Sequence, residues 1–285
     1  MTSRPGGAIR RLGPADLEAC VALGVDRRWG PERRKWSFLV EAAEPYGIDA
    51  ADGSLAGAVV LARYPPALAS VGMMLVGTRY GRQGLGRRLM THLLDQAGDA
   101  TVFLTATRYG RPLYEKLGFR ITGRSATFLG RLPAGGAATD GPDPTRPAGE
   151  DDLPSLLRVD RPAFGADREY LLRRLFAFTD QLRVLERDGR VIGYAGAWHN
   201  DGTDVIGPVI APDVEATQTL ITSLARRATF PVRLDFDPER TGLAAWVRSR
   251  GLAIVNETAF MVRGGPWPPP GPHDQLFSPI TVALG

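Results

Sequence analysis

Residues 73–90 read MMLVGTRYGRQGLGRRLM, and the order of residue types within this stretch decides the fold. Met73 to Val76 is an apolar run that predicts a buried strand. From Gly84 to Ala97, Leu85, Leu89 and Leu93 recur at helical spacing with Met90, Leu94 and Ala97 beside them, which predicts a helix with one buried face. Between the two lies a short loop carrying Gly81, Gly84 and Gly86. The first amides of a helix have no intrahelical acceptors, so they point at whatever sits above its start. Helix polarity and Arg79, Arg82, Arg87 and Arg88 add positive potential there. A pyrophosphate suits such a place. No Gly-Lys-Ser/Thr follows, so this is not a Walker loop. The spacing G-x-x-G-x-G also misplaces the third glycine of a dinucleotide fingerprint. A plain strand-to-helix turn with solvated arginines is the structural alternative.

Working outward, Ala8–Leu12 reads as a short strand and Pro14–Leu23 as a helix. Tyr46–Ala51 and Leu55–Tyr64 flank Asp52-Gly53, a hairpin signal because glycine tolerates positive φ. Ala67–Val76 is the strand that feeds the loop. Thr101–Thr105 is a β-branched strand, and Arg111–Leu117 is a short helix ended by Gly118.

The second part of the chain repeats the first. At a constant offset of 136, Arg10, Gly13, Asp16 and Leu17 match Arg146, Gly149, Asp152 and Leu153, while Asp52, Gly53 and Gly57 match Asp188, Gly189 and Gly193. Elements are accordingly expected at 181–186, 191–198, 204–209, 214–227, 232–236 and 243–250. Leu132–Gly149 is rich in Pro and Gly, lacks periodicity, and reads as a linker. This gives a first domain over 1–131, a linker over 132–149 and a second domain over 150–285. After a Pro-rich stretch, Gly264–Pro272, the segment LFSPITVALG (276–285) is too apolar for a solvated end and is expected to pack as a final strand or hook.

Bulk properties exclude several classes. No apolar run approaches the roughly 20 residues that span a bilayer, and the first residues lack the apolar centre of a secretory signal. A cytoplasmic protein without a membrane partner is expected. Cys20 is the only cysteine and the three histidines are scattered, so no metal site is expected. Only Lys35 and Lys116 are lysines, and the other basic residues are arginines, as a GC-rich genome favours. There is no basic stripe with interleaved aromatics, so nucleic acid is not an expected partner.

Val76, Thr78, Tyr80, Gly84, Gly86 and Leu89, followed by Leu113-Tyr114-Glu115-Lys116-Leu117-Gly118-Phe119, resemble the two signatures of the GNAT acetyltransferase superfamily. The resemblance covers about residues 8–131. It implies an α/β fold of two tandem domains, each a central mixed, mostly antiparallel sheet flanked by helices. It also implies acetyl-coenzyme A as co-substrate, with no metal. By the same resemblance Met74, Leu75 and Val76 would offer backbone groups to the pantetheine arm. The loop Arg82, Gln83, Gly84, Leu85, Gly86 and Arg87 would hold the pyrophosphate, Thr107 would stand where the family often has Asn, and Tyr114 would face the thioester sulfur. A phenol with a pKa near ~10 can protonate a departing thiolate without being ionised at neutral pH. Gly81 departs from the family's usual Arg or Gln.

The second part keeps the elements and loses this chemistry. Glu215 to Leu220 stand in place of Gly81 to Gly86, and Val247 stands in place of Tyr114. It resembles the degenerate acetyltransferase-like domain of some bacterial tandem proteins. Its expected role is to cover a sheet edge or to wall the acceptor pocket; both readings stand open. Candidate pocket residues are Trp29, Trp36, Asp235 and Asp237, and Trp198 lies near a strand end. Glu41, Glu44, Asp49, Asp235 and Asp237 are candidate bases, with a water chain as the alternative. The leading function is acetyl transfer to a primary amine on a small molecule. The alternatives are an inactive acyl-coenzyme A sensor and a protein or peptide acetyltransferase. Oligomeric state cannot be read from the sequence.

Overall fold

Helix and strand signals convert into one long mixed sheet covered on both faces. The computed structural model describes residues 7–132, 143–269 and 271–285. The first half runs β1 (Ile9–Arg11), α1 (Leu17–Asp26), α2 (Arg33–Ala42), β2 (Glu44–Asp49), β3 (Leu55–Tyr64), β4 (Leu68–Val76), α3 (Leu85–Ala97), β5 (Thr101–Ala106), α4 (Arg111–Lys116) and β6 (Arg120–Gly130). The second half repeats that order: β7 (Thr145–Pro147), α5 (Leu153–Phe164), α6 (Glu169–Phe178), β8 (Gln181–Arg187), β9 (Arg190–Asn200), β10 (Thr203–Ile210), α7 (Val214–Ala225), β11 (Val232–Phe236), α8 (Thr241–Ser249) and β12 (Ala253–Arg263). β13 (Leu276–Ser278) follows. No helix among the described residues is long and apolar enough to cross a membrane.

Residues matched by the 136-residue offset do the same local work twice. Arg10 pairs with Asp16, which accepts the Gly13 amide; Arg146 pairs with Asp152, which accepts the Gly149 amide. Gly53 and Gly189 take positive φ in matching hairpins; Gly118 and Gly251, 133 residues apart, do the same after matching helices. One boundary needs correction. The expected linker over 132–149 contains β7 at its end, because Thr145–Pro147 pairs antiparallel with β8 as Ile9–Arg11 pairs with β2. Residues 133–142 of that stretch, and Pro270 of the later Pro-rich one, lie outside the described residues.

The two halves exchange their last long strands. The order is β1-β2-β3-β4-β5-β12-β6-β11-β10-β9-β8-β7, so β12 lies against β5 of the first half and β6 against β11 of the second. β6 and β12 pair antiparallel with each other at the centre. On one face, α1, α2, α5 and α6 bury a single core drawn from both halves, in which Phe38 stacks on Phe178 at 4.1 Å. On the other face α3 and α4 cover the first half, and α7 and α8 cover the second, over separate cores.

Candidate active site

β4 and β5 run parallel and pair only as far as Val71 with Leu104. Beyond that point they diverge. A register shift opposite Ala58–Val60 and a left-handed Met73 (φ 49) mark a bulge in β4, the device that bends a strand away from its neighbour. Met74, Leu75 and Val76 therefore line one side of a V-shaped opening through the sheet. Their unpaired backbone edge can accept an extended ligand as an added strand would.

The loop above the opening is built on two anchors. The Gly77 amide donates to the Ala56 carbonyl, and the Thr78 amide to Asp26 Oδ2 at 2.6 Å. After them the amides from Arg82 to Arg87 donate to no described residue, and the next, Arg88, closes the first helical bond to the Gly84 carbonyl. Arg82 and Gly84 both take left-handed φ (60 and 82), which turns successive N–H groups toward one side. An added Cβ at Gly84 would meet no protein atom within 4 Å, whereas one at Gly86 would meet Met74 Cε at 3.2 Å. The cradle is thus open above Gly84 and walled beside Gly86. Of the loop arginines, Arg79 is neutralised by Asp52 at 2.8 Å and lies over the Tyr80 ring. Arg82 and Arg87 are exposed with no ion pair among the described residues, which leaves their charge to an incoming anion. These residues fit a pyrophosphate followed by a pantetheine arm.

Tyr114 stands on α4, buried in the core on the α3 face. Its ring meets Phe119 edge-on at 5.9 Å, and its hydroxyl lies over Gly110, where a Cβ would come within 3.3 Å of the oxygen. Burial pushes its pKa up to about 12, so the phenol stays protonated. Thr107 accepts the Gly110 amide at its hydroxyl and both the Gly110 and Arg111 amides at its carbonyl, so it is engaged in starting α4.

The expected pocket residues are not gathered at the opening. Trp29 is 41% exposed near the α1–α2 connection, while Trp36 is wholly enclosed in the shared core. Asp235 is buried and already holds a cation: Arg233 Nε lies at 2.8 Å, and the Thr127 hydroxyl donates at 2.6 Å. Asp237 accepts the Glu239 amide and shapes a turn. Among the candidate bases, Glu44 serves Arg63 and Tyr46, Asp49 serves Arg10, and Glu41 is exposed on α2. Trp198 borders a cavity of about 250 Å³ with His199, Asp204 and Phe230, at the C-terminal end of α7. No group of three or more His, Cys, Asp or Glu side chains among the described residues is arranged to hold a metal.

Sequence reasoning missed the occupant of the second half's opening. β10 and β11 pair only at Asp204–Val205 with Val232–Arg233, and β13 then enters beside β10. The Ser278 hydroxyl donates to the carbonyls of both Ile206 and Asp235, bridging the two walls. At the α7 start, Asp213 Oδ1 accepts the Ala216 amide, placing a carboxylate where an anion would sit. Arg240 clamps the approach to β13 through the carbonyls of His273, Asp274 and Leu276. Only the apolarity of 276–285 hinted at this.

Comparison with known proteins agrees with the geometry. The acetyltransferase (GNAT) domain family matches residues 42–130 and, through a second family of the same description, residues 156–278. The chain is 29% identical over 252 residues to the uncharacterized N-acetyltransferase YitH of Bacillus subtilis strain 168, covering 87% of each protein. Its fold is similar to a Pyrococcus horikoshii structure solved as a candidate acetyltransferase (TM-score 0.82, 18% identity, 98% of this chain and 96% of that one). It is also similar to a tandem GNAT protein from the clavulanic acid biosynthesis pathway (TM-score 0.63, 14% identity, 91% and 99% covered). With two such domains in one polypeptide, the chain belongs to the GNAT acetyltransferases as a tandem member, and it is an acyltransferase.

Proposed function

We propose that the first half transfers the acetyl group of acetyl-coenzyme A to a primary amine on a small molecule. The observation that carries this is the run of unsatisfied amides from Arg82 to Arg87, set directly beyond the β4–β5 opening. These amides and the two unpaired arginines would hold the pyrophosphate, and the free edge of Met74–Val76 would hold the arm. An amine entering from the α1–α2 face would meet the thioester through the opening. Tyr114, on the opposite face, would give its proton to the departing sulfur. The candidate carboxylates are bonded to arginine, committed to a turn or exposed on α2, so the ammonium proton passes to solvent water. Burial of Met73 and Leu75 under elements of both halves supports a small acceptor over an extended polypeptide. Thiol release over a panel of primary amines tests the reading; coenzyme A binding without turnover for every amine would make the protein a sensor instead.

Two further outcomes are expected. Gly84→Leu projects a side chain into the open side of the cradle and forces a residue with a Cβ into the left-handed φ that glycine adopts without penalty. Coenzyme A affinity should fall at least about 100-fold, since the side chain and the anion compete for one space. Calorimetry showing near-native affinity would remove the loop from the site. The filled second opening predicts one coenzyme A per chain; titration to two equivalents would contradict it.

A further inference from the structure

The chain past β13 continues across the molecule and ends at the other opening. Gly72 and Thr105 are the first residues of β4 and β5 beyond their last pair, so they stand at the vertex of the V. Gly72 meets Ala283, and Thr105 meets the residue before it, Val282. An added Cβ on Gly72 would lie 2.6 Å from Ala283 Cβ and 2.7 Å from its carbonyl oxygen, and the Thr105 hydroxyl donates to the Val282 carbonyl at 3.3 Å. The neighbouring Ser70 hydroxyl donates to the Ala283 carbonyl, and the Tyr64 hydroxyl to the Leu284 carbonyl.

The hook is held rigidly. Leu284 and Gly285 amides both donate to the Thr281 carbonyl, closing a tight turn, and Arg168 Nη1 donates to the Gly285 oxygen at 2.9 Å. Ile280 and Leu284 are fully buried in the shared core. Ser70 alternates with Val71, which faces α3, and Phe103 and Thr105 alternate with Leu104, which does the same. The hook therefore lies on the face opposite α3, the side from which an acceptor must approach if the cofactor arm lies along the α3 side.

We infer that Val282 and Ala283 form the floor of the acceptor pocket and set how far an acceptor can extend past the reacting carbonyl. This rests on the transferase reading of the first half. Through the hook the second half contributes to specificity without touching the cofactor. The two ends of one segment have separate tasks: β13 fills the second opening, and residues 282–283 limit the depth of the first.

Ala283→Gly removes the methyl group over Gly72, and Thr105→Val removes the bond to Val282 while keeping shape. Neither alters Ile280 or Leu284. In both variants the preferred member of a series of linear primary amines should shift to a longer chain. Without amine, thiol release should rise about fivefold, because water admitted at the vertex attacks the acyl carbon and yields acetate and free thiol. Coenzyme A affinity, measured by calorimetry, should match the parent and serves as the fold check. An unchanged chain-length optimum together with unchanged amine-free release, in variants that bind coenzyme A normally, overturns the proposal. If the parent binds coenzyme A and acetylates no amine, the transferase reading fails and the acceptor floor with it, whereas an active parent whose variants keep the parental optimum and release overturns the floor alone.

Discussion

Tyr114→Phe lowers the acetyl-transfer rate about 100-fold, the lower end of what a positioned proton donor supplies, while coenzyme A affinity stays within about twofold. Only the hydroxyl is lost. The ring still packs edge-on against Phe119 in a site where the residue is 6% exposed, so the substitution leaves no cavity. Burial disfavours the phenolate and moves its pKa up to about 12, so Tyr114 is protonated across the working range. The same burial would raise the basicity of a thiolate formed beside it, which would keep the proposed transfer feasible. Activity should accordingly climb with pH as the amine loses its proton, with no decline due to Tyr114 until about pH 12. Single-turnover kinetics isolate the step, and an unchanged rate would take Tyr114 out of the mechanism.

The largest stability effect is expected at Arg168→Met. Arg168 and Asp160 are both wholly buried and share two hydrogen bonds of 2.8 and 2.7 Å; Tyr194 also donates to Asp160. Removing the guanidinium leaves a carboxylate enclosed in the shared core, at a cost of about 3–5 kcal/mol. Arg168 also holds Gly285, so the hook loosens with it. Changing Asp160 to Leu in the same chain should recover part of the loss, because two well-packed apolar residues carry no stranded charge. Denaturant midpoints measure both. A single-variant loss below about 1 kcal/mol would mean that water or another cation reaches Asp160.

Much of the first half's local structure around the loop was readable from the sequence. Leu85, Leu89 and Leu93 carry a helical period that survives intact, and the glycines before them mark a loop whose amides remain free. Local pattern decides such features. The exchange of β6 and β12 was not readable, because a strand's alternation does not name its neighbour. The surroundings of the candidate pocket residues were hidden for a related reason. Asp235 reads in the sequence as a candidate base and pocket acid, and only the fold reveals its burial and Arg233 and Thr127 against it. Trp36 likewise gave no sign of being enclosed by packing between the halves. The hook's place at Gly72 depends on contacts spanning some two hundred residues, beyond any periodicity.

The interleaved centre of the sheet has a consequence for the history of the chain. A single-copy ancestor with this layout would have traded its terminal strand with an identical twin, each lending an arm to the other. Fusion of two such copies would turn that embrace into one molecule, in which one half could lose its chemistry while its scaffold still completed the other's sheet. A polypeptide ending at Arg131 would keep every residue of the cofactor cradle and still leave β5 with a naked flank, seeking another chain to cover it.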